Sequence, residues 1–443
     1  MTTTPEDIKL NVHSIREVLK KELKIPDYQR PYKWQAFHVR QLLEDLQQHF
    51  YEKKQYRLGT LVLHENDAQS SSLDIVDGQQ RLTTLYLLLK ELGQNNFSKL
   101  GKQEYPHSVS KTNIHNNYRT IRQFIDEQFK EDKESFAQYI LDYCELVTII
   151  LPDLDEAFQF FDSQNARGKS LAPYDLLKAY HLREIPDDVS TDKVNHHVEC
   201  WENAVTESPN LELIISQILF RLRRWYRNLD GETFHGSNID TFKGVSEQSP
   251  YPYLTAQQAA HILYPSASGN PFIAGQRFTK SPFQINQTLF NGSHFFDYIE
   301  HYRNLYHTLF NQDSGWLKQI KISTDNGEED LLTFLRTDKY AHRTGDRYVR
   351  SLFNCAIILY VDKFGEYKLE QAVHRCLYWA YSLRLNNERV FWRTIENAAC
   401  NRNELLQIIE LAEKPQEILQ FINSKTDIKA NVSSKWKKYF SIL

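Results

Sequence analysis

Along the first 185 positions the period of the hydrophobic residues changes several times, and each change predicts an element. Residues 8–23 read as a short element followed by an amphipathic helix, and the two prolines of "LKIPDYQRPYKWQ" then argue for an extended loop. In the next stretch Val39, Leu42, Leu43, Leu46 and Phe50 recur at helical spacing, so 35–51 is expected to be a helix. "YRLGTLVLHEN" and "SLDIVD" read as strands separated by the polar "DAQSSS" turn. Residues 82–92 and 113–129 return to the helical period, and the β-branched run "CELVTIIL" predicts a buried strand. "DEAFQFFDSQNARGKSLAPYDLLKAYHL" reads as helix, loop, helix, with Gly168 and Pro173 as punctuation.

Beyond Glu184 the pattern lengthens into helical runs at 211–225, 295–309 and 347–361. The stretch 246–291, rich in Pro, Ser, Asn and Gly, is expected to be irregular and exposed. A boundary in "EIPDDVSTD" divides the chain into domains 1–187 and 188–443. The expected fold class is α+β: a small mixed sheet with helices, followed by a mostly α-helical domain.

Composition narrows the function classes. With 443 residues, 41% hydrophobic and 25% charged, the chain has the make-up of a soluble globular protein with room for two or three domains. A net charge of −4 excludes a global basic field, so nucleic acid would have to be met by a local patch. Five scattered cysteines without a CxxC pair suit reduced thiols better than a disulfide framework or a zinc site, and no metal ligands are assigned. The N-terminus lacks the apolar core of a signal peptide and no run reaches spanning length, so a cytoplasmic protein without a membrane partner is expected. P-loop, serine-nucleophile and metalloprotease signatures are absent.

The most informative stretch is "DIVDGQQRLTTL", 74–85. Asp77 is a good N-cap with Gln80 completing a capping-box pattern, and Gly78 permits a tight turn from strand to helix. The free amides of the first helical turn and the bidentate Arg81 suit an anion, and Gln79 and Gln80 offer donors to phosphate oxygens. Thr83 and Thr84 could donate to an anion or back-bond within the helix. The alternative is a well-capped helix whose Arg81 makes an ion pair. "IPDYQRPYKW" packs Tyr28, Gln29, Arg30, Tyr32, Lys33 and Trp34 into a proline-constrained loop, suited to base stacking and phosphate contact or to a hydrophobic plug. "FFDSQNARGKSLAPYDLLK" places Asn165, Arg167, Gly168 and Lys169 in one tight turn.

In this order the three motifs resemble the N-terminal domain of the GmrSD-type restriction family, modification-dependent, nucleotide-using anti-phage systems whose signature is DGQQR. The same core resembles the ParB and sulfiredoxin fold. The resemblance spans roughly residues 10–185. It implies that Asp77, Gln79, Gln80 and Arg81 form the catalytic phosphate turn. Tyr28, Gln29, Arg30, Gly78, Asn165, Gly168 and Lys169 would complete a pocket for a nucleoside triphosphate, with Mg²⁺ if hydrolysis occurs. Many relatives carry an HNH nuclease, for which only "NHHVEC" and "KYAHRTGDRY" are weak candidates here. Cleavage would then fall to a separate nuclease or effector.

Two basic-aromatic patches are candidates for DNA. "RLRRWYRN" carries Arg221, Arg223, Arg224 and Arg227, either as a phosphate track or as a solvated helix face, while "KWKKYF" reads as a loose basic tail. The expected function is a nucleotide-binding, NTP-hydrolysing, DNA-sensing subunit of a prokaryotic restriction system, with foreign or modified DNA and a separate effector as partners and homo-oligomerisation open. The alternatives are a non-catalytic ParB-like nucleotide or DNA switch and a stand-alone DNA nuclease.

Overall fold

The computed structural model describes residues 9–26, 29, 31–65, 72–94, 105, 108–152, 172–186, 189–268, 283–324, 327–337, 341–421, 436 and 439–440. The chain forms two compact units, Met1–Ala179 and Tyr180–Leu443, the division falling inside one helix.

The first unit is built on a five-stranded mixed sheet. Strand β1 (Lys9–Ser14) runs into helix α1 (Ile15–Lys20), and β2 (Glu22–Lys24) follows at once. Ser14 fixes the strand-to-helix turn with a capping box: its hydroxyl accepts from the Glu17 N–H, and the Glu17 carboxylate accepts from the Ser14 N–H at 2.9 Å. Helix α2 (Ala36–Glu52), β3 (Tyr56–Glu65), β4 (Ser72–Asp77), α3 (Gln79–Glu91), α4 (Ser108–Gln128), α5 (Lys133–Tyr143) and β5 (Cys144–Leu151) complete it. The strand order is β1-β5-β3-β4-β2. β5 pairs antiparallel with β1 and parallel with β3, while β4 pairs antiparallel with β3 and parallel with β2.

The ten-residue β3 is the sheet's centre, and its register against β5 shifts between Arg57 and Thr60. Gly59 sits in that shift at φ +119°, a conformation that side chains other than glycine's resist. Leu61 and Leu63 of β3 and Ile75 of β4 join Leu43, Leu85 and Leu88 of the covering helices in one buried core. Helix α5 lies in a stretch the hydrophobic pattern left unassigned. Its Phe136, Ala137, Ile140 and Leu141 are buried at helical spacing, and Phe136 stacks on Phe129 at 3.9 Å.

The second unit is mostly helical. Helix α6 (Pro173–Arg183) contains the division between the units, and α7 (Thr191–Thr206) follows. The helix expected at 211–225 is present, but its first part, Glu212–Leu219, winds as a π-helix before α8 (Phe220–Tyr226). The expectation of an irregular 246–291 is corrected: Thr255–Ser268 forms helix α9 after a short 3-10 turn at Pro252–Leu254. The alanine-bearing "TAQQAAHIL" has good intrinsic helix propensity, which the flanking Pro and Ser residues masked in the composition.

Helix α10 (Ser293–Phe310), the hairpin β6 (Lys321–Thr324) and β7 (Gly327–Asp330), and α11 (Leu331–Arg336) come next. Then α12 (Thr344–Phe364) packs on α13 (Leu369–Asn386), α14 (Trp392–Cys400) and α15 (Leu405–Leu411), and α16 (Pro415–Leu419) closes against α13. The reading of "KWKKYF" as a loose tail is also corrected. Trp436 stacks on Tyr381 at 4.0 Å and the Tyr439 hydroxyl meets His374 Nδ1 at 2.9 Å, so two aromatics anchor the segment in the core. Among the described residues no helix is long and apolar enough to cross a membrane.

Candidate functional site

The DGQQR turn sits where β4 hands over to α3. Asp77 is still in the sheet, opposite Val62, and Gly78 turns the chain at φ +100°. A Cβ on Gly78 would lie 2.8 Å from Leu61 Cδ1, so conformation and space both select glycine there. The structure makes Gly78 the N-cap of α3, with no side chain capping the helix. This corrects the expected capping box of Asp77 and Gln80, for both side chains have other partners. The first backbone bond of the helix is from the Leu82 N–H to the Gly78 carbonyl at 2.9 Å, which leaves the N–H groups of Gln79, Gln80 and Arg81 at an open helix start.

Gln80 points inward. Its Oε1 accepts the N–H groups of Lys33 and Trp34 at 2.8 and 3.1 Å, and its Nε2 donates to the Pro31 carbonyl at 3.2 Å. The amide is therefore a clamp on the proline-constrained loop. Tyr32, fully buried, completes that attachment: its hydroxyl bonds Thr84 Oγ1 at 2.8 Å and accepts from Asn117 Nδ2 at 3.0 Å. Burial pushes the Tyr32 phenol above its ordinary pKa, so it stays neutral in this network. Ser110, Asn113 and Asn117 of α4 hold the backbone of Tyr32 and Trp34. None of these three residues was singled out from the sequence; the signal was the run of short polar residues on one face of an otherwise amphipathic helix.

Gln29 donates from Nε2 to the carbonyls of Ile75 and Val76 at 2.9 and 2.7 Å. It continues the edge of β4 where β2 ends at Lys24, and brings the loop alongside the turn. Thr84 back-bonds to the Gln80 carbonyl at 2.9 Å, and Thr83 Oγ1 meets the Tyr105 hydroxyl at 3.1 Å. Gln79 is buried beside Gln80, whose amide donates to its Oε1 at 3.3 Å.

Arg81 is different. Its Nη1 donates to the carbonyls of Leu58 and Thr60 at 3.3 and 2.9 Å, lying across the shift in β3, and its Nη2 is 3.5 Å from Asp77 Oδ2. A Cβ on Gly59 would come within 2.8 Å of that guanidinium, so glycine makes the room. Arg81 and Asp77 keep 25% and 24% of their side chains accessible, which makes this pair the open part of the turn. Tyr28, Arg30, Asn165, Arg167, Gly168 and Lys169 lie outside the described residues.

The arginine-rich helix of the second unit divides in two. Arg221 and Arg223 are buried. Arg223 donates to the carbonyls of Thr241, Ile285 and Gln287 at 3.2, 2.7 and 3.0 Å. Arg221 donates to Ser351 and lies 4.7 Å from the Trp392 ring centre. These two are internal struts and cannot belong to a phosphate track. Arg224 is half-buried, with Nε on the Asp230 carbonyl at 2.6 Å, and Arg227 is exposed. In "NHHVEC", His197 is buried 3.8 Å from Asp297, and His196 approaches Cys200 Sγ at 3.6 Å. Among the described residues no three His, Cys, Asp or Glu groups gather as a metal site.

Comparison with known families divides the chain as its folding units do. A model described as the GmrSD restriction endonuclease N-terminal domain matches residues 13–182. A family of unknown function (DUF7834) matches residues 193–438. No curated protein matches the chain.

Proposed function

The chain belongs to a family of unknown function (DUF7834) through residues 193–438 and carries a GmrSD-type N-terminal domain, and on that premise we propose that it is a nucleotide-binding, NTP-hydrolysing, DNA-sensing subunit acting with a separate nuclease. The match of its N-terminal domain to the GmrSD restriction endonuclease N-terminal domain supports the restriction-system part of this reading. The finer reading is carried by one observation: α3 starts without a side-chain cap directly beside the half-open Asp77–Arg81 pair.

Such a helix start offers N–H donors and a positive dipole end to phosphate oxygens. Arg81, braced from behind by the Leu58 and Thr60 carbonyls, offers its remaining N–H groups in a fixed orientation, which suits charge stabilisation during phosphoryl transfer. Gln80 contributes by positioning: it ties Pro31–Trp34 to the helix. Asp77 is the accessible carboxylate of the turn, and a nucleotide-bound Mg²⁺, which takes one or two carboxylates plus phosphates, fits that supply. When bound, the ion would neutralise phosphate charge.

The test is phosphate release from ATP, GTP and CTP with Mg²⁺, with and without DNA. Wild type is compared with Arg81→Lys and Asp77→Asn, each checked for intact thermal unfolding. Loss of turnover in folded variants is the expected result. Absence of nucleotide binding by wild type would remove the reading.

A further inference from the structure

The second unit contains a cleft of about 1070 Å³ between the start of α12, the end of α13 and the start of α14. That is just above the roughly 300–1,000 Å³ typical of small-molecule sites. Two helix N-termini open onto it through Thr344, Gly345 and Asp346 of α12 and Trp392 and Arg393 of α14, and no side chain caps either helix. The first intrahelical bonds come only at the Arg347 N–H in α12, leaving the earlier donors to face an incoming anion.

Four arginines (Arg343, Arg384, Arg389 and Arg393) and five carboxylates (Asp230, Glu232, Asp346, Glu388 and Glu396) line the cleft. Arg384 is 6% exposed and lines the cleft; its Nη1 is held by the Asn387 and Glu388 carbonyls, and its Nε, which has no hydrogen-bond acceptor among the described residues, makes an ion pair with Asp346 Oδ1 at 3.5 Å. Arg343 pairs with Asp346 at 2.8 Å, so that carboxylate is shared between two guanidinium groups. Arg389 and Arg393 are exposed on the rim. Between them the Phe391 ring stands 64% exposed, and among the described residues no other ring stacks on it.

Deeper in, Trp392 donates from Nε1 to Asp230 Oδ1 at 3.2 Å, and Glu396 is hydrogen-bonded to Asp230. Burial, and then that contact, push the Glu396 carboxyl above its ordinary pKa. Glu396 Oε1 is buried without a hydrogen-bond partner among the described residues.

We propose that this cleft binds a nucleotide unit, with its base stacked on Phe391 and its phosphate held by Arg389, Arg393 and the two open helix ends. An exposed ring flanked by arginines that have no hydrogen bond or ion pair among the described residues is the chemistry that grips a base and its phosphate together. The unit could arrive as a free nucleotide or as an unpaired nucleotide of a DNA strand. The strand form rests on the DNA-directed part of the function proposed above, whereas the free form does not.

The experiment measures binding to the full chain by fluorescence anisotropy, using a short labelled oligothymidylate, competed by thymidine monophosphate or by inorganic polyphosphate. Arg389→Ala with Arg393→Ala should weaken the oligonucleotide about tenfold or more, and Phe391→Ala about tenfold, with polyphosphate competition insensitive to the latter. Both variants alter exposed side chains, so a matched thermal unfolding curve shows that the fold is intact. Competition by the monophosphate assigns the site to free nucleotides, and competition only by unlabelled strand assigns it to DNA. Binding of both variants within about threefold of wild type overturns the cleft while leaving DNA sensing in place. Wild type binding neither probe overturns the cleft and DNA sensing together. Neither result bears on nucleotide turnover at Arg81, which is read separately as phosphate release.

Discussion

Two stretches of the second unit look alike on paper and behave oppositely in the fold: "RLRRWYR" at 221–227 and "RVFWR" at 389–393. Both interleave arginines with aromatics. The first lies inside a continuous helical run, where four arginines in seven positions cannot all reach one solvated face, and Arg221 and Arg223 are buried on backbone carbonyls and a serine. The second is extended up to the cap of α14, and its residues alternate. Val390 and Trp392 are 7% and 8% exposed, while Arg389, Phe391 and Arg393 face outward. The same residue types thus become struts at period 3.6 and a free surface at period 2. Local backbone conformation, more than basic-aromatic composition, decides which patch can meet a ligand.

The sharpest way to break this contrast is Arg223→Ala. It would strip donors from three carbonyls in a buried setting and should destabilise the second unit by about 3 kcal/mol. Chemical denaturation followed by tryptophan fluorescence reads the change. A loss below about 1 kcal/mol would return Arg223 to the list of surface cations.

The DGQQR turn repeats the contrast within a single motif, Gln80 facing in and Arg81 partly out. Gln80→Ala leaves the N–H groups of Lys33 and Trp34 and the Pro31 carbonyl without their partner, which should cost about 2 kcal/mol. Limited proteolysis at Lys33 should accelerate alongside. An unchanged cleavage rate would mean that the Tyr32 network alone holds the loop.

Much of this was legible in the sequence. Strands β3, β4 and β5 and helices α2, α4, α10 and α12 follow from hydrophobic period and from apolar or β-branched runs. Helices α5 and α9 were not, the first for want of a clear flanking turn and the second because Pro and Ser neighbours dominated its window. The glycine turn at Gly78 was read correctly as a turn, but the partners of Gln80 lie 46–49 positions earlier in the chain. No local pattern reveals such a contact, and a capping box was the nearest local explanation. The cleft at 343–397 was missed for a related reason: it joins three chain segments, and the alternation in "RVFWR" is too short to stand out from helical neighbours.

A buried charge beside the arginine struts gives a pH test of the same interior. Asp362 accepts from the Tyr302 hydroxyl at 2.6 Å and from the Ile285 N–H at 3.0 Å, next to the carbonyl that Arg223 holds. Burial pushes its carboxyl up to about 7. A raised folded pKa means that this group's stabilisation is complete below its unfolded value and is lost as pH rises through about 7. Its share of the unfolding free energy should therefore fall by up to about 1.4 kcal/mol per pH unit between roughly pH 4 and pH 7. Asp362→Asn should flatten that slope, and an identical slope in the variant would show that Asp362 is ionised in the fold throughout.

The smallest expected effect closes the comparison from its exposed side. Arg227→Ala and Phe391→Ala should each change stability by no more than about 0.5 kcal/mol, since neither side chain is buried and neither anchors a hydrogen bond. For Phe391 the expectation is pointed. A bare phenyl ring in water gains nothing for the fold, so a neutral Phe391→Ala would place its use outside the folded chain, whereas Arg227 does not line the cleft and should be neutral for stability and for oligonucleotide binding there alike. If Phe391→Ala instead destabilised the unit as Arg223→Ala should, the ring would be part of the packing at the start of α14, and the period-2 surface would be another strut.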